Sequence, residues 1–147
     1  MTPEQIADIY YDDPPDVAWA KILPLATTGD SAAQFYMGQL CDEQTPPDQV
    51  EAVAWYQKSS DNGFPEGTHH LASFTYHGMG THRNVEKAIA LFRISAEAGL
   101  DASQWKLGQH FLSIAGRQEE AINWLRRAAA QGHSAAIDLL SEEGAGV

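Results

Sequence analysis

Six histidines, His69, His70, His77, His82, His110 and His133, are the side chains of this 147-residue chain best suited by type to bind a metal or move a proton. Two histidines sharing a metal on one helix face need i, i+4 spacing and a third ligand. His70 and His77 stand seven residues apart, which is two helical turns and about 10 Å along the axis, too far for one ion. His69 and His70 are adjacent and point to different faces. This spacing suits packing or surface histidines, so neither a metal nor another cofactor is expected. The single cysteine, Cys41, cannot form an intramolecular disulfide. It stands twelve residues after Gly29, and Thr75 and Phe111 hold the equivalent places in two other segments, so it reads as core filler. Nucleophilic catalysis needs Ser or Cys beside a His base and a third, orienting group, and no such constellation stands out. The chain also lacks a phosphate-binding P-loop, a G-x-G-x-x-G after a strand and a G-x-S-x-G elbow. Glu119 and Glu120 read as acids favoured at a helix N-terminus, and Gly78-Met79-Gly80 as a turn. A metal-dependent hydrolase built on the histidines is the enzyme alternative, and it has the least support. The chain is expected to be non-catalytic.

The elements that carry these side chains repeat. Four segments align on Gly29, Gly63, Gly99 and Gly132, spaced 34, 36 and 33 residues apart. Eleven residues before each glycine stand Ala18, Ala52, Ala88 and Ala121, and eight before it Lys21, Trp55, Leu91 and Trp124. Seven before it come Ile22, Tyr56, Phe92 and Leu125, and four before it Leu25, Ser59, Ser95 and Ala128. These steps trace one face of an α-helix, and the closing glycine suits the left-handed position that stops it. Eight residues after each glycine come Met37, Leu71, Leu107 and Leu140, each followed by a small residue: Gly38, Ala72, Gly108 or Ser141. Four after it are Ala33, Gly67, Ser103 and Ala136, again small. Small residues at four and nine let a second helix backbone come close. Each unit is therefore a helix pair, a tightly packed A-type helix followed by a B-type helix with the bulkier aromatics.

Met37-Gly38, Glu51-AVAWYQKSSDNG-Phe64, Leu71-Ala72 with Gly78-Met-Gly80, and Glu86-KAIALFRISAEAG-Leu100 resemble Sel1-like repeats. Trp105-Lys-Leu107-Gly108 and Glu120-AINWLRRAAAQG-His133 do so too. The resemblance covers roughly residues 17–141. It implies an all-α fold, a right-handed α/α solenoid of about three helix pairs related to the tetratricopeptide family, with capping helices at both ends. The tetratricopeptide pattern itself fits less well, since Trp105 stands two residues before Leu107 and the period varies. Two stretches depart from the Sel1-like pattern: Cys41 to Gln49 lacks the G-x-G turn, and Ser113 to Gln118 is short. Sel1-like proteins are generally scaffolds for macromolecular assembly and signalling, so the resemblance implies an adaptor.

The expected organisation is one domain over 1–147. N-terminal cap helices occupy 1–30, repeats occupy 31–63, 64–99 and 100–132, and a C-terminal cap helix with a frayed tail occupies 133–147. Thr2-Pro3-Glu4 reads as an N-cap, first-turn proline and acid opening a helix to about Tyr11. Asp16 is expected to cap the next helix, and Pro24 to bend or shorten it. Helix pairs are expected at 31–42 with 48–62, 66–77 with 84–98, and 102–114 with 118–131, and a last helix at 134–142.

Twenty acids against nine bases give a formal charge of −11, which argues against nucleic acid or an anionic membrane as partner. With no visible signal peptide or membrane-spanning stretch, a cytoplasmic monomer is expected. Residues 1–30 carry six acids and one base, residues 31–63 five and one, and residues 64–99 three of each. Glu4, Asp8, Asp12, Asp13 and Asp16 thus form a candidate acidic docking surface for a basic protein; a solvated, solubilising surface is the alternative. On the A-type helices, positions six, ten and thirteen after the glycine fall opposite the packing stripe. They read Phe35, Gln39 and Asp42, then His69, Ser73 and Tyr76, then Trp105, Gln109 and Leu112. In helix-pair solenoids this side lines the concave surface, so the ladder is the candidate face for a protein or peptide. Lys58, Arg93, Arg126 and Arg127 fall on an outer, solvated face. Two alternatives stay open: a small acidic immunity protein or chaperone that sequesters a toxin or effector, and a self-associating structural module.

Overall fold

The computed structural model describes residues 1–144. Among them are nine helices and no strand: α1 (Pro3–Asp12), α2 (Pro15–Thr27), α3 (Ser31–Glu43), α4 (Gln49–Asp61), α5 (Pro65–His77), α6 (Val85–Glu97), α7 (Asp101–Leu112), α8 (Gln118–Ala130) and α9 (Ser134–Glu142). Of the tail expected to fray, Glu143 and Gly144 form a turn, and 145–147 lie outside the described residues.

Local chemistry explains where the helices start. At α1 the Thr2 hydroxyl accepts from the Gln5 N–H at 3.3 Å, and the Gln5 side chain accepts from the Thr2 N–H at 2.9 Å, a reciprocal capping box. Asp30 caps α3 by accepting from the Ala33 N–H at 2.9 Å, and Asp48 caps α4 from the Glu51 N–H at 3.0 Å. The expected cap at Asp16 is not formed. Helix α2 starts at Pro15, with Pro14 at the cap position and no side-chain cap bond. A proline at the first helical position has no N–H to satisfy and a pre-set φ, so the helix starts two residues earlier and Asp16 lies in its first turn. Pro24 does not end α2, which runs to Thr27, and the Pro24 carbonyl accepts from both the Thr27 and Thr28 hydroxyls. The four anchor glycines all have positive φ, between 82° and 102°, as the helix-stopping position requires.

The chain divides into two compact units, Met1–Ala88 and Ile89–Val147, and the boundary falls within α6. In the first unit α3 packs against α1, α2, α4 and α5, and α4 packs against α5. Its core holds Ile6, Ile22, Met37, Cys41, Tyr56 and Leu71, all essentially without exposure. In the second unit α8 packs against α7 and α9, around Leu107, Phe111, Leu125 and Leu140.

The two units use the same close contact. A Cβ added at Gly38 would lie 2.5 Å from the Tyr56 ring, and one at Gly108 2.5 Å from the Leu125 side chain. In each, the small residue nine after one glycine receives the large residue seven before the next. Polar groups also repeat. Gln34 donates to the Ala26 carbonyl and Gln104 to the Ala96 carbonyl, each at 3.1 Å from a buried position. Ser59 donates to the Ser31 carbonyl at 2.7 Å, and Ser95 bonds Ser103. No buried side-chain polar atom among the described residues lacks a partner, so the helices meet at little desolvation cost.

Candidate protein-binding surfaces

In the first unit the ladder residues separate by burial. Phe35, a candidate contact residue of the ladder, is only 6% exposed. Its ring lies 4.9 Å from that of His70, 5.6 Å from Phe64 and 6.0 Å from Tyr56. Those rings come from α5, the residue before it, and α4, and they enclose Phe35, so it belongs to the core. Gln39 and Asp42 on α3, with His69, Ser73 and Tyr76 on α5, remain half-buried. These two helices pack against one another, so the five side chains share neighbouring elements of one unit.

His70, which the ladder did not include, links the two helices. Its Nδ1 lies 3.0 Å from the Glu66 carbonyl, and its Nε2 lies 3.5 Å from Gln39 Nε2. A carbonyl can only accept, so Nδ1 carries the proton and Nε2 faces the amide donor. Burial pushes its pKa below the ordinary 6.5, against the opposing pull of the Glu66 carbonyl and of Asp42 and Glu66. His70 is therefore a neutral packing histidine. Burial also lowers His110, with the Arg117 charge acting in the same direction. Burial, with Glu51 and Asp48 nearby, pushes the Cys41 thiol up to about 11, which keeps it protonated and a poor nucleophile. Among the described residues no three His, Cys, Asp or Glu side chains are grouped so as to hold a metal ion.

In the second unit Trp105 stacks on His133 with ring centroids 5.3 Å apart and planes at 27°. His133 in turn caps α9 by accepting from the Ala136 N–H at 3.3 Å. Trp105 and Leu112 both pack against the Leu125, Ala128, Ala129, Ala136 and Leu140 cluster, whereas Gln109 is exposed. Much of the Trp105 ring is therefore engaged in holding its own unit together.

The acidic residues divide as well. Glu4, Asp8 and Asp12 are exposed and spaced four apart on α1, and Asp16 is exposed in the first turn of α2. Asp13 is half-buried and paired with Lys21 at 2.8 Å. The basic B-type positions are not simply solvated. Lys58 lies over the Trp55 ring at 4.3 Å and Arg127 over Trp124 at 4.5 Å. Arg93 is half-buried, bonds Glu120 at 3.0 Å and lies 5.5 Å from the Phe111 ring. Burial disfavours the Glu120 carboxylate, but hydrogen bonds from Arg93 and Arg117 outweigh it and hold the group below its usual range.

One feature escaped the sequence reading. A cleft of about 400 Å³ is lined by Pro15, Asp16 and Trp19 of α2 and by Leu40, Glu43, Gln44 and Thr45 at the end of α3. The available signal was Trp19 itself. It stands ten residues before Gly29, where the other segments carry the aliphatic Val53, Ile89 and Ile122.

Paired helices closed by left-handed glycines and locked by small-residue contacts define an α/α helical-repeat protein. Residues 31–64, 65–100 and 101–133 match three consecutive Sel1 repeats, and the chain belongs to the Sel1 repeat family. It is 33% identical over 125 residues to an uncharacterised protein of Neisseria meningitidis serogroup B, which covers 82% of this chain and 26% of that protein. It is 29% identical over 98 residues to the rat DAP3-binding cell death enhancer 1, covering 66% of this chain and 19% of the relative. The chain thus spans about a quarter or less of these curated relatives. Among solved structures, a Sel1 repeat protein from Oxalobacter formigenes matches with a TM-score of 0.82 and 27% identity, over 92% of this chain and 58% of that one. A protective antigen present in uropathogenic Escherichia coli strains, displaying an SLR fold, matches with a TM-score of 0.79 and 25% identity. That match covers 95% of this chain and 32% of the antigen. The fold class is accordingly all-α, of the Sel1-type solenoid kind. Proteins of this family generally mediate protein–protein interaction, and the fold is typically a non-catalytic interaction scaffold. Among the described residues no helix is long and apolar enough to cross a membrane.

Proposed function

We propose that this chain is a non-catalytic adaptor that binds a protein or peptide partner through the side of α3 and α5 carrying Gln39, Asp42, His69, Ser73 and Tyr76. The observation that carries this reading is their shared state: five polar or aromatic side chains, half-buried, on two helices packed together in one unit. Amide, hydroxyl, carboxylate, imidazole and phenol groups on two packed helices suit a peptide backbone and its side chains, and tyrosine is favoured where binding energy concentrates. In this reading the chain works as a cytoplasmic monomer. Affinity capture from the native cell tests it. Tyr76→Ala and Asp42→Asn should each lower recovery of the partner at least tenfold with unchanged helical content, whereas full recovery by both variants contradicts the assignment.

A second reading rests on Glu4, Asp8 and Asp12, which form an exposed acidic row on α1. It has a small acidic protein sequestering a basic toxin or effector, as an immunity protein or chaperone does. Removing the row with Glu4→Gln, Asp8→Asn and Asp12→Asn would then abolish capture, while Tyr76→Ala would leave it intact.

A further inference from the structure

From the cleft between the start of α2 and the end of α3 we infer a binding site for an arginine side chain presented by a protein partner. The adaptor reading enters only as the source of that arginine; the cleft is defined by its own residues. Trp19 supplies a half-buried indole and Leu40 an apolar wall that is 6% exposed. Asp16 and Glu43 bring carboxylates from two different helices, and Gln44 and Thr45 add polar groups at the rim. A guanidinium suits this set, because its flat face stacks on an indole while its edge donates to carboxylates.

The carboxylates are available for this role. Among the described residues neither Asp16 nor Glu43 is ion-paired. One Glu43 oxygen, Oε1, accepts from the Tyr10 hydroxyl, which fixes the side chain and leaves Oε2 for a ligand. Helix polarity also matters here. The end of α3 presents carbonyls that attract a cation, while the first turn of α2 carries an opposing partial charge of roughly +0.5. Asp16 lies within that turn and its full charge more than offsets it. The surrounding unit has the same sign: residues 1–88 carry thirteen acids and four bases. Both carboxylates belong to exposed residues, so a cationic ligand gains their attraction without their full desolvation, whereas an anion would meet two like charges.

Nuclear magnetic resonance on the isotope-labelled full chain, titrated with N-acetyl-arginine methylamide, tests this directly. The Trp19 indole N–H and the backbone amides of Glu43, Gln44 and Thr45 should shift saturably. The neutral citrulline analogue should bind at least tenfold more weakly, and the lysine analogue more weakly than arginine because it cannot stack a planar group. Asp16→Asn and Glu43→Gln should each weaken the arginine analogue about threefold or more. Trp19→Ala should weaken it about tenfold, with helical content checked by circular dichroism; Trp19→Phe should recover part of the loss. Equal binding of the citrulline analogue, absence of saturable shifts at these residues, or lysine matching arginine would overturn the proposal. Loss of arginine binding here alongside intact dependence of partner capture on Tyr76 removes the cleft and leaves the adaptor; the reverse pattern removes the α3/α5 face and leaves the cleft.

Discussion

At Gly38 the absent side chain admits the neighbouring helix, since a Cβ there would meet the buried Tyr56 ring at 2.5 Å. Gly38→Ala should therefore destabilise the fold by roughly 1–3 kcal/mol, the usual range for overpacking a tight core, as a lower urea midpoint at unchanged slope. His70 gives a pH signature. Burial lowers its folded-state pKa below the ordinary 6.5, so the unfolded chain binds the proton first as pH falls. The contribution to stability is full above about pH 6.5 and declines as pH drops from there toward the folded-state pKa. Replacing it by His70→Gln should flatten unfolding free energy against pH in that window; an unchanged profile would show that His70 is not its source. Single residues were legible where the repeat gave them a register. Cys41 was placed in the core by its equivalence to Thr75 and Phe111, and it is buried. Phe35 was misplaced for a physical reason: a helical wheel sees one helix, whereas its burial comes from Phe64, His70 and Tyr56 on its neighbours. The equivalent His69 and Trp105 stay half-exposed, so position six alone does not decide.

Helix limits were legible to within about a residue or two because glycines with positive φ and capping side chains mark them locally. The cap of α2 was misassigned to Asp16, since Pro14 and Pro15 compete with the familiar acidic cap and proline geometry prevails. Removal of a side chain that does cap, Asp48→Ala at α4, should cost about 1 kcal/mol. Leu125→Ala on α8 should cost about 2–5 kcal/mol, because Leu125 is fully buried in the α8–α9 cluster and faces Gly108. Glu120→Gln should change stability by less than about 1 kcal/mol despite bridging Arg93 and Arg117, since both arginines are more than 40% exposed and solvent screens the pair. Thermal and chemical unfolding of these three variants would rank them in that order of cost: Leu125, then Asp48, then Glu120. The cleft between α2 and α3 could not be read from either helix alone, because its walls come from residues far apart in sequence.

Across the whole molecule the negative charge is uneven. Residues 1–88 hold nine of the eleven excess negative charges, and the remainder of the chain is nearly balanced. Composition gave the sign and size of that imbalance, and the repeat period was enough to name the fold class. Neither could say which partly exposed side chains remain available once neighbouring helices have packed. Association with a basic partner through the acidic unit should slow and weaken as ionic strength rises, whereas an affinity indifferent to salt would contradict that electrostatic component. Central to the proposed function is that Gln39, Asp42, His69, Ser73 and Tyr76 bind a protein. Calorimetric titration of the captured partner into wild type and Tyr76→Ala, at matched ionic strength, addresses it most directly. At least tenfold weaker binding by the variant, with its thermal unfolding unchanged, is the predicted result; equal dissociation constants would contradict it.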